Sequence, residues 1–69
     1  MTRKQAIQTA RILKDAREKS GLLQAEVAKK AGIHPNTYAK IERAEQVPTF
    51  DTIKKLAKAL NIHLDTLQD

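Results

Sequence analysis

The sequence predicts an all-α domain of five short helices, and three observations carry that prediction. Gly21, Gly32, Pro35 and Pro48 are the only strong punctuators, and the stretches between them are rich in Ala, Leu, Lys, Gln and Glu, which favour helix. Apolar residues recur three and four positions apart and nowhere alternate with the period of two that a half-buried strand requires. The chain has 69 residues, 41% of them apolar. That is too apolar for a disordered tail, and it gives room for one domain, residues 1–69, with a small core of the kind that often gains from oligomerisation.

The first helix is expected from Arg3 or Lys4 to Lys19. Ala6, Ala10, Leu13 and Ala16 or Arg17 follow the spacing of one buried face, and Ile7 and Ile12 widen it. Ser20-Gly21 ends it, because glycine readily takes the left-handed conformation in which helices stop, and Leu22 then points inward. The second helix is expected over Gln24 to Lys30, with Val27, Ala28 and Ala31 inside, Lys29 and Lys30 outside, and Gly32 as the break. The third spans Pro35 to Arg43. Proline suits a first helical position, where its missing N–H has no helical partner anyway, and Tyr38 and Ile41 are this helix's only large apolar residues.

A loop from Ala44 to Pro48 leads to the fourth helix. Thr49 is its N-cap, and Asp51 lies in the first turn, where the helix dipole favours an acid. Phe50, Ile53, Leu56, Ala57 and Leu60 form the apolar face, with Lys54, Lys55 and Lys58 towards solvent. Asn61 suits the left-handed C-terminal position, Ile62 packs down, and a last turn from Leu64 to Leu67 finishes the chain.

Composition narrows the function. Lysine and arginine number 13 against 8 acids, for a formal net charge of +5. That balance fits a polyanionic partner, either nucleic acid or an acidic protein surface. There is no cysteine, which removes disulfides, thiolate zinc sites and cysteine nucleophiles. His34 and His63 lie apart without ligand-like spacing, so no metal site is expected. Apolar runs are too short to span a membrane, and MTRKQAIQTARILK lacks the apolar segment of a signal peptide. A cytoplasmic location is therefore expected. No acid pair, Ser/His/Asp set or glycine-rich loop is placed for chemistry, so neither catalysis nor a cofactor is expected.

From Gln24 onward, Val27, Ala28, Ala31, Gly32, Ile33, Tyr38 and Ile41 form a pattern with a steric logic. Two helices joined by a tight turn bring their backbones close, which calls for a small residue at the crossing, Ala28, and a glycine at the bend, Gly32. This is the spacing of a helix-turn-helix, and also that of an ordinary helical corner. On a wheel of 100° per residue, Tyr38 and Ile41 mark the buried side of the third helix, with Glu42 at its edge. Asn36, Lys40 and Arg43 lie nearly opposite, flanked by Thr37 and Ala39. An amide, two cations, a hydroxyl and a methyl group match the donors, acceptors and methyls on major-groove base edges. A merely solvated face would carry the same cations.

The stretch GLLQAEVAKKAGIHPNTYAKIERAEQVPTFDTIKKLAKALNI, preceded by LKDAREKS, resembles the lambda-repressor/Cro-like helix-turn-helix family, the XRE family. The resemblance covers roughly Ile12 to Leu67 and rests on the arginine of KDAR, the QAEVA helix start, the Gly-Ile turn, YAKIER and PTFDTIKKLAKALNI. It implies a five-helix lambda-repressor-like domain in which helices 2 and 3 form the helix-turn-helix. It implies a sequence-specific double-stranded DNA-binding transcriptional regulator, a repressor, that reads the major groove with residues 35–43. Gln24 matches a position that holds a DNA phosphate. His34 and Pro35 open the recognition helix, and Asn36, Thr37 and Lys40 match positions that in relatives reach bases or nearby phosphates. Arg43 matches a backbone-contacting position, and Arg17 and Glu42 match a pair that bridges the first and third helices.

Relatives bind as symmetric dimers, so a homodimer is implied; Leu64 and Leu67 are candidates for its contact or plain core of the last turn. Some relatives are antitoxins that bind a protein toxin and repress their own operon, which is the alternative function. Three departures from the family stand out. Leu23 replaces the usual Ser or Thr cap of the second helix. His34 occupies the cap of the third, where it caps weakly or, protonated, contacts phosphate. Ala44-Glu45 replaces the usual glycine after the recognition helix, which puts an acid near the expected phosphates.

Overall fold

The computed structural model describes residues 1–68; Asp69, the last residue of the expected domain, lies outside them. Five helices follow in order: α1 (Arg3–Ser20), α2 (Gln24–Ala31), α3 (Pro35–Glu42), α4 (Phe50–Leu60) and α5 (Leu64–Gln68). Each begins and ends within one residue of the expected bounds, and the described residues contain no strand. α1 packs on α3, α4 and α5, while α2 seats on α3 and α4. The molecule measures 27 × 22 × 20 Å.

Local chemistry sets the helix ends. Thr2 and Gln5 form a capping box before α1: the Thr2 hydroxyl accepts from the Gln5 N–H at 3.1 Å, and the Gln5 side chain accepts from the Thr2 N–H at 2.8 Å. Thr49 caps α4 by accepting from the Thr52 N–H at 3.2 Å, and Asn61 ends that helix at φ 56°. Leu23 offers α2 no side-chain cap. The Glu26 carboxylate supplies half of the missing arrangement by accepting from the Leu23 N–H at 2.8 Å.

Gly32 ends α2 at φ 72°, with Ile33 N–H donating back to the Ala28 carbonyl at 3.0 Å. A Cβ built on Gly32 would meet nothing within 4 Å. Glycine is required here for its backbone angle rather than for space.

Leu13, Val27, Tyr38, Ile41, Leu56 and Leu67 are the largest fully buried side chains, each contributing about 1.5–3 kcal/mol by leaving water. Ala28 is fully buried, as the close α2 crossing requires. Thr9 joins this set although it is polar, because it lies on the Ala6–Ala10–Leu13 face of α1; its hydroxyl donates to the Leu67 carbonyl at 2.9 Å and ties α1 to α5.

Two expected core residues are not in the core. Ile7 is 43% exposed, because it lies about 110° around α1 from the centre of the buried face. Phe50 is 57% exposed; it opens α4 at the margin of the apolar stripe, and the Lys54 ammonium sits over its ring at 5.5 Å. Leu67 is plain core at 2% exposed, and Leu64 is half-buried against the same cluster.

Candidate nucleic-acid interface

α3 is anchored on one side only. Tyr38 and Ile41 are buried against α1 and α2, and Glu42 is buried beside them. His34, Pro35, Asn36, Lys40 and Arg43 are exposed, while Thr37 and Ala39 are half-buried at the flanks. The ridge expected from the helical wheel is therefore the free side of a helix about 12 Å long, at 1.5 Å per residue.

His34 caps α3. Its Nδ1 accepts from the Asn36 N–H at 3.0 Å, the bond that a serine or asparagine side chain makes at this position. An Nδ1 that accepts carries no proton, so in the neutral ring the proton is on Nε2, which remains a donor. Of the two roles expected for His34, capping is the one present in the free protein.

Gln24, expected to hold a phosphate, is bonded within the molecule in the free protein. Its Nε2 donates to Glu42 Oε1 at 3.0 Å. Glu42 also accepts from Arg17, at 2.7 Å from Nε and 3.2 Å from Nη2. Arg17 Nη1 donates further to the Leu22 carbonyl at 3.0 Å. The Glu42 carboxylate thus joins α1, the start of α2 and the end of α3, and Arg17 extends the network to the α1–α2 turn. Burial pushes the Glu42 carboxyl up, but the hydrogen bonds from Arg17 and Gln24, with the Tyr38 hydroxyl close by, outweigh it and hold the group below the usual range. The bonds to Glu42 hold Arg17 above its ordinary value. Burial, with the Glu42 carboxylate beside it, pushes the Tyr38 phenol above the tyrosine range. Its enclosed hydroxyl makes no hydrogen bond of standard geometry.

At the other end of α3 the chain folds back on itself. Ala44 takes φ 59°, a left-handed conformation rare for a residue with a Cβ. Arg43 Nε donates to Glu45 Oε2 at 2.9 Å, and Nη2 to Oε1 at 3.1 Å. The sequence flagged Glu45 only as an acid near expected phosphates; its pairing with Arg43 depends on the turn at Ala44, which no side-chain type announces.

No group of three or more His, Asp or Glu side chains among the described residues could hold a metal ion. Among the described residues no helix is long and apolar enough to cross a membrane.

Two helices joined at Gly32, the second anchored by one face and free on the other, define a helix-turn-helix. A family model described as helix-turn-helix matches residues 13–67, and the chain belongs to that family, with a lambda-repressor-like fold. It is 40% identical over 55 residues to the HTH-type transcriptional regulator ImmR of Bacillus subtilis (strain 168), covering 80% of this chain and 43% of that protein. It is 36% identical over 55 residues to the cryptic phage CTXphi transcriptional repressor RstR of Vibrio cholerae, covering 80% of this chain and 50% of that one. The chain thus spans about half the length of these relatives. The crystal structure of the restriction-modification controller protein C.AhdI from Aeromonas hydrophila superposes with a TM-score of 0.86 at 27% identity, covering 90% of this chain and 94% of that one.

Proposed function

We propose that the chain is the DNA-binding domain of a transcriptional repressor that lays α3 in the major groove of double-stranded DNA. The observation that carries this reading is the exposed ridge Asn36–Lys40–Arg43 on a helix whose other side is anchored. Asn36 pairs with an adenine edge and Lys40 donates to guanine. His34 Nε2–H, the Thr37 hydroxyl and the backbone N–H groups that open α2 and α3 hold phosphates and set the register. Pro35 shapes the entry of α3. Gln24 contributes through its backbone N–H and the second N–H of its side-chain amide, the first being bonded to Glu42. A second copy of the chain completes the site in the cytoplasm, each copy taking a half-site one helical turn from the other.

Selection of bound duplexes from a random pool tests this. The expected result is a two-fold symmetric sequence with half-sites about 10 base pairs apart; a pool that stays unenriched rejects the reading. An antitoxin would enrich the same kind of site and, in addition, form a stable complex with the protein product of an adjoining reading frame.

A further inference from the structure

We propose that Glu45 is a built-in competitor for phosphate, its carboxylate occupying the guanidinium fork of Arg43 in the free protein. This rests on the DNA-binding reading of α3. The two bonds from Arg43, through Nε at 2.9 Å and Nη2 at 3.1 Å, are the side-by-side pair with which an arginine grips a phosphate. Both side chains are 54% exposed, so the occupied fork lies at the surface.

The backbone holds the carboxylate there. With Ala44 left-handed, the Ala44 N–H donates to the Ile41 carbonyl at 3.1 Å and the Glu45 N–H to the Lys40 carbonyl at 2.9 Å. Glu45 is thereby pinned against the last turn of α3 instead of trailing into the loop. The hydrogen bonds from Arg43, with a smaller pull from Lys40, hold its carboxyl below the usual range.

An exposed ion pair contributes little to folding; its consequence lies in what it competes with. A phosphate that engages Arg43 must displace the carboxylate, which then takes a cation from solution. That contact releases no net counterion. With Glu45 neutralised, the same contact releases one. The slope of log K against log salt then steepens by about 0.9, which at about 0.1 M salt corresponds to roughly eightfold tighter binding.

Four proteins test the proposal: the wild type, Glu45→Gln, Arg43→Ala and the double variant. Each is titrated over a range of salt with a duplex of mixed sequence. The expected result is that Glu45→Gln binds roughly eightfold tighter with the steeper slope. Arg43→Ala then costs less than about twofold beside the native Glu45 but about eightfold in the Glu45→Gln background, since only there does the arginine act as a free charge. If the wild type binds and Arg43→Ala costs the same factor in both backgrounds, Glu45 is no competitor and this proposal alone is overturned. If none of the four binds duplex at low salt, the DNA-binding reading of α3 falls and takes this proposal with it.

Discussion

The Arg17 guanidinium and the Glu42 carboxylate, 25 positions apart in the chain, meet side by side through hydrogen bonds of 2.7 and 3.2 Å. Arg17 leaves α1 near its C-terminal end, and Glu42 is the last residue of α3. The pair ties the end of α3 to α1, and Gln24 adds the start of α2 to the same carboxylate.

Removing the arginine strands a buried acid. Arg17→Met is expected to cost about 3 kcal/mol of stability, the penalty for leaving one charge of a buried pair unmatched, whereas replacing both partners by apolar residues, Arg17→Met with Glu42→Leu, recovers most of it. Urea denaturation of the three proteins measures this. A single variant as stable as the wild type would show that the pair does not hold the fold.

The same carboxylate makes stability depend on pH. Its folded-state pKa is held down: burial raises it, and the bonds from Arg17 and Gln24, with the neighbouring Tyr38 hydroxyl, more than reverse that. A depressed acid contributes stability that is fully present above its unfolded value, about 4.3, and lost as pH falls from there through the folded value. Melting curves across that range should show the wild type losing its advantage over Glu42→Gln as the solution becomes acidic. A gap that stays constant with pH would exclude Glu42 as the titrating group.

Ala44 holds a backbone angle that suits glycine, with φ 59°. Ala44→Gly relieves the left-handed strain while adding some freedom to the unfolded chain, for a net gain of about 0.5–1 kcal/mol. In a domain of this size that raises the midpoint of thermal unfolding by a few degrees. An unchanged or lower midpoint contradicts the strain.

The role proposed for Lys40 is to read a base, not only to add charge. Lys40→Ala should abolish a preference for guanine at one position of each half-site, a discrimination of about 1–3 kcal/mol, and leave the other positions of the selected sequence as they were. Uniformly weaker binding with the same preferences would assign Lys40 to the phosphates instead.

The sequence by itself determined the elements. Caps, glycines and prolines act over a few residues, so the helix bounds and the roles of Ala28 and Gly32 were legible from neighbours in the chain. So was the outward ridge Asn36–Lys40–Arg43, because Tyr38 and Ile41 define the buried side of so short a helix. Other features needed the assembled molecule. Ile7 and Ile12 lie about equally far, roughly 110°, to either side of the buried face of α1, and the chain treats them alike. Ile12 is half-buried on the side where α5 packs, beside Thr66 and Leu67, while Ile7 is left in solvent. The turn of Gln24 towards Glu42, the Thr9 bond to Leu67 and the capture of Arg43 by Glu45 are likewise products of the tertiary arrangement. Periodicity records how far each side chain lies around its own helix; only packing decides which neighbouring helix or charge arrives to meet it.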